Sequence, residues 1–261
     1  MMGVLAGLLA VAAAPAQSPA DPPAAVAAPA RKPPVLDAGL TAAFRLIRTG
    51  RYPEARRAAE AYLAQDGARH PGQAQFILGL SYHRQRLYES ARGHFVRALE
   101  LEPDYVTAHF FHGFTLLNLG RLDEARAAFE SYLARGPEDA EAVFGLGLVA
   151  LEQDRVDDAE RAFQRAISLA RAAGMGPVVS PDASEDLARY HARLADVHLR
   201  RGDLAKARAD LERSVELWPD HFEPWHKLAL VLRRLGDAAG ADRAQARSDE
   251  AFRRRTARGQ P

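Results

Sequence analysis

The sequence contains no cysteine and carries almost no net charge. Without cysteine it offers no disulfide, no thiolate metal site, no thiol nucleophile and no acylated lipoprotein cysteine. Its 35 Lys and Arg residues nearly balance its 34 Asp and Glu residues. No overall field therefore draws the molecule to nucleic acid or to an acidic membrane. We expect no nucleic-acid partner and no chemistry that depends on a thiol.

The apolar run at residues 4–14 is uncharged but too short to cross a bilayer, which takes about 20 helical residues. It has the character of an export signal, and the APA tripeptide at 14–16 places small residues where signal peptidase requires them. We therefore predict a signal peptide over residues 1–16, cleavage before Gln17, no remaining membrane span, and a periplasmic or secreted protein. Because no Lys or Arg precedes the run, the alternative is a cytoplasmic protein with an uncleaved leader.

A period of 34 residues runs through the rest of the chain. In residues 72–105, Gly79, Ala91 and Phe95 occupy positions 8, 20 and 24 of the unit, and the same spacing returns in five further units. Position 20 is alanine every time, at Ala55, Ala91, Ala125, Ala159, Ala207 and Ala241. Position 8 is small every time, at Ala43, Gly79, Gly113, Gly147, Ala195 and Ala229. Small residues at these two positions allow two helices to approach to about 8 Å.

These residues, with the LGLSY sequence at 78–82 and the closing ALELEP at 98–103, resemble the tetratricopeptide repeat. The resemblance implies an all-α fold, a right-handed superhelical solenoid of antiparallel helix pairs. The six expected repeats span about 36–69, 72–105, 106–139, 140–173, 188–221 and 222–255. A Pro/Ala-rich linker at 17–35 precedes them, an insertion at 174–187 interrupts them, and a short tail at 256–261 follows.

The turns between helices should be closed by glycine, which can adopt a positive φ. Four repeats have it, at Gly50, Gly120, Gly202 and Gly236, whereas Arg86 and Asp154 occupy the same place in the other two. We expect those two turns to be strained or to be closed differently. Pro103, Pro137 and Pro219 should end the second helix of a repeat, and Ser180-Pro181 predicts that the helix after the insertion begins early.

The resemblance implies that positions 2, 5, 6, 9, 12 and 13 of the first helix line the concave face. In the second to fourth repeats this face is mainly apolar, with Phe76, Leu80, Phe110, Phe111, Phe114, Asn118, Phe144 and Leu148. In the fifth and sixth repeats it is basic, with Arg189, Arg193, Arg200, Lys227, Arg233 and Arg234. We predict a groove for a protein or peptide segment that has apolar anchors and, toward the C-terminal repeats, a carboxylate or acidic stretch.

Two alternatives to this groove remain open. The phenylalanines could pack against neighbouring helices or the tail, and the arginines could be surface residues paired with acids such as Asp196 and Glu223. Self-association through the Phe-rich surface is also compatible with the sequence.

Nothing in the sequence predicts catalysis, a metal site or a cofactor. Phosphate-binding glycine loops, a nucleophile elbow and an HExxH motif are absent. His109 and His112 have helical spacing but fall at core positions of the repeat and have no evident third ligand. The sequence therefore predicts a non-catalytic scaffold for protein–protein interactions in the cell envelope, or a cytoplasmic adaptor if the leader is retained.

Overall fold

The computed structural model describes residues 37–136, 138–173 and 181–257, and all regular structure within them is helical. The predicted signal peptide and linker, Pro137 and the first half of the insertion, residues 174–180 with Ser180, lie outside the described residues. The twelve helices in the described parts are α1 Ala38–Arg48, α2 Tyr52–Leu63, α3 Pro71–Arg84, α4 Tyr88–Leu101, α5 Val106–Asn118, α6 Leu122–Arg135, α7 Ala140–Glu152, α8 Val156–Ala173, α9 Pro181–Arg201, α10 Leu204–Leu217, α11 Phe222–Arg234 and α12 Ala238–Ala257.

Each helix packs mainly against the helices that precede and follow it in the chain. Short turns join the two helices of a pair, as at residues 119–121 between α5 and α6. Stacked helix pairs whose contacts are mostly between neighbours are the defining feature of an α-solenoid. The predicted all-α repeat fold is therefore confirmed.

The turn within each pair contains one residue with positive φ. Glycine occupies it in four pairs, with φ between 70° and 87°, whereas Arg86 has φ 60° and Asp154 has φ 57°. The chain closes in the same way in both cases: the Arg121 N–H donates to the Leu116 carbonyl oxygen (2.9 Å), and the Arg155 N–H donates to that of Ala150 (2.8 Å). Because a Cβ disfavours this conformation, the two non-glycine turns are strained, as the sequence predicts.

The two small positions of the repeat lie inside the stack. All six position-20 alanines have no exposed surface. At position 8, a Cβ added to Gly79, Gly113 or Gly147 would meet the phenylalanine ring at position 24 of the same repeat, at 2.8, 2.8 and 2.5 Å. Where position 8 is alanine, position 24 is a smaller or polar residue, namely Ala59, Leu211 or Gln245. The two positions are therefore matched in size across the six repeats.

Helix α9 begins at Pro181 and has 21 residues, more than any other described helix. Its early start agrees with the expectation from the proline. Within the residues that the structure describes, no helix combines the length and the apolar character needed to cross a bilayer.

Candidate binding site

The phenylalanines expected on the concave face are buried in the core. Their side chains are between 0% and 5% exposed, as is that of Leu80: Phe76, Phe110, Phe111, Phe114 and Phe144. The prediction that they form an exposed apolar patch is wrong, and the alternative that they pack against neighbouring helices describes the structure. A partner could reach them only if the helices separated.

The aromatic residue at position 24 explains this burial. Phe114 packs edge-on against Phe129 of α6 with ring centroids 4.9 Å apart, and Phe110 lies 5.1 Å from Tyr132 of the same helix. Positions 5, 8 and 9 share one helix face, so a ring seated over a position-8 glycine lies beside the side chain at position 5 or 9. Phe95 thus lies beside Phe76 and Phe163 beside Phe144, with centroids 5.9 and 5.4 Å apart. In the aromatic repeats these positions belong to the core within the pair.

Arg189 is also predicted to face a partner, yet it is buried as well. Its guanidinium pairs with Glu141 of α7 and with Asp186 of its own helix, and it lies over the ring of Phe144, 5.6 Å from the centroid. The side chains of Arg189 and Glu141 are 11% and 6% exposed. Burial raises the pKa of the Glu141 carboxyl, and the positive charge of Arg189 opposes that rise. This pair joins the fourth repeat to the fifth.

Arg193 and Arg200 are partly committed to contacts within the protein. Arg193 pairs with Asp196 at 3.1 Å. Arg200 donates to the Leu151 carbonyl oxygen at 2.6 Å and pairs with Asp154 at 3.1 Å. The alternative that these arginines are paired surface residues therefore describes both, although the acid of Arg200 differs from those expected.

Asn118 and Leu148 are more exposed than the phenylalanines of the predicted groove. Asn118 is exposed and its amide donates to the carbonyl oxygen of Phe114 at 2.7 Å. Leu148 is half-buried and packs against the core. Neither lies beside the remaining basic residues.

The other three basic residues come together at one open pocket between α9 and α11, the first helices of the last two repeats. The α9/α11 pocket has a volume of about 380 Å³ and is lined by Leu199, Lys227, Leu230, Val231, Arg233 and Arg234. Its lining therefore combines three aliphatic side chains with three cations. Lys227 also pairs with Asp196 at 2.6 Å, and Arg233 with Asp242 at 3.4 Å. Within the described residues the side chain of Arg234 makes no hydrogen bond or ion pair.

The composition of the sixth repeat explains why this pocket is open. Leu230 occupies position 9, which is buried as Leu80 and Phe114 in the second and third repeats, but it is 47% exposed. The place of the position-24 phenylalanine is taken by Gln245, which hydrogen-bonds to His226 (3.1 Å) and Asp249 (2.8 Å). No aromatic ring is therefore available to cover Leu230. Gln245 was the one indication in the sequence that Leu230 would be accessible.

His109 and His112, the two histidines with helical spacing, have environments set by the packing of the repeat. The Nε2 atom of His109 is 3.0 Å from the Pro103 carbonyl oxygen. Burial lowers the pKa of His112 to about 4, so its imidazole is neutral near pH 7. Among the described residues no group of three His, Asp or Glu side chains is placed to hold a metal ion.

The fold defines a helical repeat protein. Its candidate binding site is a pocket between α9 and α11 that is lined by both aliphatic and basic residues. Tetratricopeptide-repeat family profiles match residues 40–111, 112–177 and 188–231, more than half of the chain. The chain belongs to the tetratricopeptide-repeat family. No curated protein sequence matches it.

Several solved structures share the fold. PilW, described as a widely conserved type IV pilus biogenesis factor, has 21% identity and a TM-score of 0.66 over 82% of this chain and 92% of its own. MamA from Desulfovibrio magneticus RS-1, residues 41 to the end, has 23% identity and a TM-score of 0.56 over 67% and 90%. YrrB, described as a TPR protein with an unusual peptide-binding site, has 16% identity and a TM-score of 0.50 over 81% and 93%. At these identities the likeness concerns the fold.

Proposed function

We propose that this protein is a non-catalytic scaffold that binds a segment of another protein in the α9/α11 pocket. The observation that carries the proposal is the exposure of Leu230 in a pocket that Leu199, Val231 and three cations also line. Ligand sites in proteins are concave and mostly apolar, with a few polar or charged groups that fix the ligand, and this pocket has that composition. The same fold carries an unusual peptide-binding site in YrrB, which supports a ligand of this kind.

The location of the binding surface can be tested by site-specific photo-crosslinking in the native cell. A photoreactive amino acid at position 230 should yield one protein adduct, which is lost when Leu199 is also replaced by Asp. Leu87 provides the matched control, because its side chain is 51% exposed but lies in the turn between α3 and α4 of the second repeat. Adducts of equal yield and identity from positions 87 and 230, or none from position 230, would contradict the proposal.

We further propose that the protein acts in the cell envelope after cleavage before Gln17. The apolar run at 4–14 and the small residues that follow it support export, whereas the missing basic residue supports the cytoplasmic alternative. We expect the protein in the periplasmic fraction with an N-terminal sequence that starts QSPAD. An intact Met1 in the cytoplasmic fraction would establish instead a cytoplasmic adaptor with the same binding surface.

A further inference from the structure

The α9/α11 pocket carries an excess of positive charge that the described part of the chain does not neutralise. Asp196 accepts from both Lys227 (2.6 Å) and Arg193 (3.1 Å), so one carboxylate serves two cations. Arg233 has only a 3.4 Å contact to Asp242, and both of those side chains are more than half exposed. The side of the pocket formed by the end of α11 is therefore positively charged.

The lining also limits the kind of partner. It contains three aliphatic residues and no aromatic one. Single-stranded nucleic acid binds through stacking of bases on aromatic rings as well as through cations, so this pocket lacks half of what such a ligand needs. An aliphatic floor suits a leucine-sized side chain, and partly desolvated cations favour carboxylates and reject lysine.

The spacing along α11 gives the pattern of the ligand. Lys227, Leu230 and Arg233 follow one another at intervals of three residues, so the two cations are about 9 Å apart along the helix axis with the leucine between them. An extended chain covers that length in about three residues, whereas a helical ligand would need about six. A single apolar position between two cations matches an extended segment with one anchor better than an amphipathic helix, which needs several anchors along its length.

We propose that the ligand of the α9/α11 pocket is an extended protein segment in which one Leu-sized apolar side chain lies between carboxylates about three residues apart. This inference rests on the proposed function and adds its specificity. The carboxylates pair with Lys227 at one end and with Arg233 and Arg234 at the other, and the apolar side chain covers Leu230.

A displayed library of random dodecapeptides, selected on the full chain, tests this chemistry. We expect selected peptides to be enriched in Leu, Ile or Met with Asp or Glu within two positions on each side. Selection on the Arg233→Glu/Arg234→Glu variant should replace one of the two acids with Lys or Arg. A selected acidic peptide should bind the unmodified chain at least tenfold more tightly than its Glu→Lys counterpart, as measured by fluorescence anisotropy.

The matched control is Arg208→Glu/Arg213→Glu, which changes the net charge equally at two exposed positions of α10 outside the pocket. Its selected peptides should remain acidic. Enrichment of neutral or basic peptides, or the same acidic peptides from both charge-reversed variants, would overturn the inference. An adduct from position 230 to a segment without acids would also overturn it, while leaving the proposed function intact. If selection and crosslinking both give nothing, both proposals fail.

Discussion

Gly147→Ala is expected to lower the free energy of unfolding by about 2 kcal/mol, although alanine is the better helix former. The added Cβ would lie 2.5 and 2.6 Å from two ring carbons of Phe163 and 3.2 Å from the Cβ of Ala162. Phe163 has no exposed surface and its ring centroid lies 5.4 Å from that of Phe144, so it has little room to move aside. Urea titration followed by circular dichroism measures the loss.

Two further variants make this prediction specific. Gly93→Ala adds the same methyl group to α4, where it would meet no atom within 4 Å beyond its chain neighbours and the backbone of its own helix, and should be neutral or slightly stabilising. Gly147→Ala/Phe163→Leu gives the fourth repeat the small pairing that the fifth already has with Ala195 and Leu211. The free energy of unfolding of the double variant should be higher, by more than about 1 kcal/mol, than the value expected from adding the effects of the two single substitutions. Additive losses would show that positions 8 and 24 are not coupled.

This coupling also explains how much of the molecule could be predicted. The 34-residue period and the small residues at positions 8 and 20 were sufficient for the helix pairs and their stacking, because these features act within one repeat. The sequence did not show which way positions 5 and 9 point. A position number transferred from a family assumes an average neighbour, whereas here Phe95, Phe129 and Phe163 draw those positions into the core.

The basic residues of the expected groove fall into two groups, those that line the pocket and those that pair within the protein, for a related reason. Lys227, Arg233 and Arg234 were correctly placed near one another, because they share α11 and helical spacing fixes their relative positions. Arg189 could not be assigned in this way, since its partner Glu141 is 48 residues away and lies across the insertion. The position of an arginine in the repeat does not show whether it is exposed or buried in an ion pair. For Arg189 the packing of α9 on α7 decides this.

Arg189→Met should therefore destabilise the fold by about 3–5 kcal/mol, because it leaves the buried Glu141 carboxylate without its cation. Only the Tyr190 hydroxyl, which donates to Glu141 at 2.9 Å, would remain as a partner. Burial already raises the pKa of Glu141, and loss of Arg189 removes the charge that opposes this rise. A carboxyl with a raised pKa in the folded state binds its proton more readily than in the unfolded state. The loss in free energy of unfolding caused by Arg189→Met should therefore be largest at pH 8 and decrease as the pH falls toward 5.

The double variant Glu141→Gln/Arg189→Met is the decisive control. It removes both charges but keeps an acceptor for Tyr190, so it should recover most of the lost stability and show no special dependence on pH between 8 and 5. Urea titrations of both variants at the two pH values measure these effects. If Arg189→Met instead unfolds like the unmodified chain but no longer binds the peptides selected on it, Arg189 contacts the partner after all. The arrangement of α7 and α9 would then have to open in the bound state, and the prediction of a partner-facing arginine from the sequence would be correct.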